Sequence, residues 1–154
     1  MSNLVYAKSF RDLFVYQKSR ELANDIYKLS KMFQREETFS LTDQIRRSSR
    51  SIGANIAEAW AKRKYERHFV SKLTDADGEQ METQHWLGVA LDCSYITKQI
   101  EQAFVERCLE IGRMLGGMME KADLFCGDTL RISREPTSEY FVVAPIDDTV
   151  ETDD

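Results

Sequence analysis

The sequence predicts an all-α chain folded as an antiparallel up-down four-helix bundle with an irregular acidic C-terminal tail. Three observations carry this reading. Both prolines, Pro136 and Pro145, lie near the C-terminus, so nothing interrupts long helices over residues 1–134. Apolar residues recur at three- and four-residue steps in four separate stretches. The joins between those stretches are short and polar.

The first helix is expected from about Ser9, an N-cap with Asp12 three residues on, to about Phe33. Its inward seam is Val15, Leu22, Ile26, Leu29 and Phe33. After the connector "QREETF", Ser40 and Asp43 repeat the capping pattern and open a second helix carrying Leu41, Ile45, Ile52, Ile56 and Ala59. The third runs from about Glu66 to Tyr95, with Phe69, Leu73, Ala76, Leu87 and Leu91 inward. The fourth begins near Ile100, and Phe104, Cys108, Ile111, Leu115 and Met118 recur along it at three- and four-residue steps. Residues 1–126 therefore form one domain, and residues 127–154 form an acidic tail. The tail's "YFVVAPI" is β-branched and aromatic, and reads as extended or disordered in the isolated chain, with docking on the bundle or on a partner as the alternative.

Charge is distributed unevenly. Residues 135–154 hold seven acidic side chains and no Lys or Arg, out of 21 basic and 26 acidic residues in the whole chain. The remainder therefore has 26 minus 7, or 19, acids against 21 bases, and is slightly positive. Cys93, Cys108 and Cys126 match no zinc ribbon or redox spacing and are expected as reduced thiols. With no apolar run long enough for a membrane span and no basic-then-apolar leader, the expectation is a cytoplasmic protein without a membrane partner.

The second helix has a face that its core residues do not explain. Turning about 100° per residue places Gly53, Ala54, Ala57 and Ala61 away from the apolar seam. Small residues let another helix approach closely, so this face is expected to contact a second subunit, the alternative being alanine as a plain helix former. Gln44, Ser48, Ser51 and Asn55 make a polar stripe at the edge of the core. Such a stripe can fix the register of neighbouring helices if its groups find partners there.

The stretches "DLFVYQKSRELANDIYKL", "LTDQIRRSSRSIGANIAEAWAKR" and "ADGEQMETQHWLGVALDCSYI" resemble the bacterial four-helix bundle family. That family includes proteins encoded in intervening sequences of large-subunit rRNA genes and the accessory variability proteins of diversity-generating retroelements. The most specific match is the run containing Gln44, Arg46, Arg47, Ser51, Ile52, Asn55, Ile56, Ala57 and Glu58, with Ala76, Gly78, Glu82 and Ala90 in the third helix. Gly53 stands where the family often has proline, Ala59 where it usually has glycine, and Gln84 and His85 where it favours Glu and Thr. The resemblance implies a homo-oligomer, typically a barrel-shaped pentamer, and an association with RNA, DNA or a reverse transcriptase.

No catalytic constellation is present. Glu82 and His85 form one Glu-x-x-His, whereas di-iron bundles need that motif twice together with two more glutamates. No Walker loop, dinucleotide fingerprint or nucleophile elbow occurs, and Gly112, Gly116 and Gly117 lie within the fourth helix. Neither a metal nor a cofactor is expected. Arg46, Arg47 and Arg50, followed by Lys62, Arg63, Lys64 and Arg67 with Tyr65 beside them, are the candidates for nucleic-acid contact. A solvated charged surface is the plain alternative. The reading is therefore a non-enzymatic homo-oligomeric adaptor for nucleic acid or a nucleoprotein partner, with a protein-interaction scaffold as the other possibility.

Overall fold

The computed structural model describes residues 7–126, and the acidic tail expected over residues 127–154 lies outside them. Four long helices, α1 (Phe14–Ser30), α2 (Leu41–Ala61), α3 (Glu66–Asp92) and α4 (Lys98–Glu120), are followed by a short α5 (Ala122–Phe125). Single 3-10 turns at Phe10–Asp12 and Arg35–Glu37 precede α1 and α2. Each long helix packs on the next, and α1 against α4 closes the ring. The interior is a continuous apolar core in which Leu22, Ile26, Ile45, Ile52, Leu73, Leu87 and Leu115 have no exposed surface. Every residue expected inward on the second helix is buried.

Helix ends differ from expectation where burial overrides local pattern. Ser9 and Asp12 do form a capping box, but it caps only the Phe10–Asp12 turn. Leu13 then adopts an extended conformation that buries its side chain, and α1 starts one residue later. At the far end α1 stops at Ser30, and Phe33 reaches the core from the connector, stacked on Tyr95 with ring centroids 5.4 Å apart. Ser40 is the residue before α2, yet its hydroxyl does not cap. It donates to Glu37 Oε2 at 2.5 Å, and the same oxygen accepts the Leu41 N–H at 3.3 Å. The Ser40 hydroxyl, the Leu41 amide and the Tyr95 hydroxyl hold the Glu37 carboxyl below the usual carboxylate range.

The third helix ends at Asp92 rather than Tyr95, because Ser94 takes a left-handed backbone with φ of 60°. The Tyr95 N–H donates to the Ala90 carbonyl and the Ser94 N–H to that of Leu91, both at 2.9 Å. This is the paired closure that glycine favours at a helix C-terminus. Ser94→Gly is therefore expected to stabilise the fold by about 0.5–1 kcal/mol, read as an upward shift of the denaturant midpoint, because a Cβ is strained in this conformation.

Polar groups in the interior are paired among the described residues. Ser48 is bonded to Thr83 of α3 at 2.9 Å, and both are buried. Thr83 also donates to the Glu79 carbonyl. Between α3 and α4, Gln84 donates to Gln80 Oε1 at 2.6 Å and Gln80 to Asp77 Oδ1 at 2.9 Å. Gly112 makes room for this chain of amides: a Cβ there would lie 2.8 Å from Gln80 Nε2.

The polar stripe thus joins helices at Ser48. Asn55, expected to bond across helices, instead donates to the Ser51 carbonyl of its own helix at 3.0 Å and is half-buried. Gln44 and Ser51 are half-buried as well. Asn55→Ala should accordingly change stability by less than about 0.5 kcal/mol, since the Ser51 carbonyl keeps its helical bond and alanine favours the helix. Thr83→Ala removes the bond between helices while Ser48 still donates to the Ile45 carbonyl at 3.3 Å, and should cost about 0.5–1.5 kcal/mol in the same urea titration.

Candidate functional site

The ion pairs of α1 all face α4: Lys18 meets Glu110 at 3.1 Å and Asp25 meets Arg107 at 2.9 Å. On the other flank of α2, Lys72 of α3 meets Glu58 at 2.8 Å. The face shared by α1 and α2 is different. Arg46 donates through Nε to the buried Ser30 Oγ at 2.7 Å, and its guanidinium stands 4.7 Å from the Tyr27 ring centroid. Arg50 lies 5.3 Å from the same ring and the Lys31 ammonium 4.7 Å from it. Nearer the start of α1, Arg20 lies 5.8 Å from the Tyr16 ring. No carboxylate among the described residues is ion-paired with any of these four cations.

Three cations around one tyrosine gain from the ring's negative face but repel one another. Ser30, whose hydroxyl donates to the Tyr27 carbonyl at 2.9 Å, fixes Arg46 as part of that arrangement. The result is a preformed positive locus on the surface, suited to an anion.

The basic residues read from the sequence do not form one patch. Arg46 and Arg50 come together at Tyr27. Arg47 points elsewhere, is exposed, and pairs with Asp43 at 3.7 Å. Lys62, Arg63, Lys64 and Arg67 lie around the α2–α3 turn, roughly 18–24 Å along the α2 axis from Arg50 and Arg46 at 1.5 Å per residue. There Arg63 covers the Trp60 ring at 3.6 Å and donates to the Trp60 carbonyl at 2.9 Å, and burial lowers its pKa from the ordinary value. Lys62, Lys64 and Arg67 are exposed, and Lys64 and Arg67 flank a surface hollow with Tyr65 and His68.

The residues absent from the sequence reading are Arg20, Tyr27, Ser30 and Lys31, all on or just after α1. Arg20, Tyr27 and Lys31 stand seven and four apart, the spacing of one helix face, and that was the available signal.

The small-residue face also needs correction. Gly53, expected at a contact with another subunit, is buried within its own chain: a Cβ there would lie 3.1 Å from Ser19 Oγ and 3.6 Å from the Tyr16 ring. The close helix it admits is α1. Ala57 is half-buried in a hollow between α1 and α2, while Ala54 and Ala61 are exposed.

Glu82 and His85 both turn toward Trp86. Glu82 accepts the indole N–H at 3.1 Å, and the His85 ring stands edge-on to Trp86 at 4.6 Å. Among the described residues no group of three or more His, Cys, Asp or Glu side chains is placed to hold a metal ion, and no helix is long and apolar enough to cross a membrane.

Comparison with known proteins agrees with this architecture. A crystal structure of a protein with unknown function from the S23 ribosomal protein family of Bacteroides thetaiotaomicron shares 34% sequence identity, with a TM-score of 0.63. The match covers 69% of this chain and 95% of that one. No protein of curated function matches. The family of the 23S rRNA-intervening sequence protein matches residues 11–117, a span that takes in α1, α2, α3 and nearly all of α4. With more than half of the chain inside that match, the protein belongs to the 23S rRNA-intervening sequence protein family.

Proposed function

We propose that the protein is a non-enzymatic homo-oligomeric adaptor that binds nucleic acid or a nucleoprotein partner such as a reverse transcriptase, without cofactor or metal. The observation that carries this is the Tyr27 locus, where Lys31, Arg46 and Arg50 are gathered and no carboxylate among the described residues is ion-paired with them. Phosphate groups are the ligand such a locus suits, and neutralising them releases counterions. Repetition of the locus around an oligomer axis, five times in a pentamer, would multiply its field. Of the small α2 residues, exposed Ala61 lies outside the hollow between α1 and α2, and the ridge that bears it is the surface on which a second copy would seat. Family membership supports the nucleic-acid side of the reading, through genes that interrupt 23S rRNA.

The second reading, a protein-interaction scaffold, is favoured by one observation. Phe39 and Met32, in the α1–α2 connector, are 93% and 79% exposed. Such apolar side chains suit a protein partner.

Two measurements on the full chain test the proposal. Light scattering should give a mass that is several times 17.9 kDa, reduced toward the monomer by Ala61→Glu. Fluorescence anisotropy with structured RNA should show affinity falling with salt, and removing residues 135–154, with their seven acids, should strengthen it. A monomeric wild type would end the assembly part. If the truncated chain ignores RNA at low salt, the scaffold reading takes its place.

A further inference from the structure

Beside the Tyr27 locus, the hollow between α1 and α2 has a chemistry of its own. It is open to the surface and has a volume of about 290 Å³. Gly53 and Ala57 floor it from α2, and Tyr16 walls it from α1. Phe10, brought over by the turn before α1, meets Tyr16 edge to face with centroids 4.9 Å apart and completes the aromatic side. Arg20 and Arg50 stand on the lining, one from each helix. Neither is ion-paired among the described residues, and both keep contact with tyrosine rings.

The lining asks for a ligand with two parts. A flat, weakly polar body would lie on the small residues and against Tyr16, and an anionic group would sit within reach of both guanidiniums. A simple anion leaves the apolar half unused, and an apolar side chain leaves the two arginines unmatched. A nucleotide unit supplies a planar base and a phosphate in one molecule, and base stacking on an aromatic ring accepts any base.

We propose that this hollow receives one nucleotide of a single-stranded nucleic acid, its base against Tyr16 and its phosphate between Arg20 and Arg50. The inference rests on the nucleic-acid reading above and adds the form of the ligand. In a duplex each base is stacked and paired, so it could enter only after being extruded. Duplex phosphates can still reach the Tyr27 locus outside the hollow. The site therefore discriminates single strands from duplexes, while the neighbouring cations do not.

The test uses the full chain with a single-stranded RNA and a hairpin duplex of equal length, at fixed salt. Ala57→Leu fills the hollow without altering charge. It should weaken single-strand binding by about tenfold or more and leave the duplex within about twofold, with the oligomer mass unchanged. Independently of any variant, single-stranded RNA carrying 4-thiouridine should photo-crosslink to Tyr16 or Phe10 in the wild type. Equal effects on both RNA forms, or crosslinks confined to other elements, would overturn the inference. So would a drop in mass for Ala57→Leu, which would make a second copy the occupant. Free AMP binding as tightly as the strand would reassign the hollow to mononucleotides and likewise overturn it. If the wild type binds neither RNA form even at low salt, the nucleic-acid reading itself has failed, an outcome distinct from loss of strand preference alone.

Discussion

Lys31→Gln, Arg46→Gln and Arg50→Gln combined in one chain are expected to lower the affinity for structured RNA by roughly two orders of magnitude. They should also reduce the slope of log affinity against log salt by about 2–3, one increment for each phosphate no longer neutralised. The three residues share Tyr27 and are in no ion pair among the described residues, so their removal breaks no ion pair of the bundle. Arg47→Gln is the control. It is exposed, and its partner Asp43 at 3.7 Å is half-buried on the same helix, so affinity should change by less than about threefold, as for one screened surface charge. Arg46→Gln also withdraws a donor from Ser30 Oγ, but that hydroxyl still donates to the Tyr27 carbonyl. Melting curves recorded for each variant separate any loss of fold from loss of binding. Unchanged affinity in the triple variant would remove the Tyr27 locus from the nucleic-acid interface.

The second large effect is structural. Phe69 is 1% exposed and stacks on Phe125 with centroids 5.6 Å apart, which ties α5 to the start of α3. Phe69→Ala should cost about 3–5 kcal/mol by opening a cavity and releasing that stack. Thiol chemistry gives a second readout. Cys93 is exposed, whereas burial pushes the Cys108 thiol up to about 12 and the Cys126 thiol up to about 11. In the wild type one thiol should react quickly with an aromatic disulfide reagent at neutral pH. In Phe69→Ala, Cys126 should join it as α5 loosens, while Cys108 stays slow. A denaturant midpoint equal to that of the wild type would show that α5 contributes nothing to the core.

The four helices were legible because proline-free sequence and apolar steps of three and four carry that signal directly. Their ends were not. Leu13 leaves the helical path to bury its side chain, and Ser94 stops α3 with a backbone conformation usually given to glycine. Both depend on what surrounds the residue rather than on its neighbours in sequence. The same distinction governs the site. Arg46 and Arg50 could be read as basic positions on the second helix, but Tyr27 and Lys31 become their partners only once α1 is laid beside α2. Angular position also showed that Gly53 admits a close neighbour, yet it could not say whether that neighbour is another copy or α1. Serial order settles it here: adjacent helices joined by a short connector pack together, and α1 takes the place first.

Gly112 acts well beyond its own helix. Because the Gln80 amide occupies the space of the missing side chain, sliding α4 past α3 by one residue would drive a Cβ into that amide and orphan its bonds to Asp77 and Gln84. The observed alignment satisfies both packing and hydrogen bonding. The pair is thereby keyed, α4 seating on α3 where the glycine meets the amide.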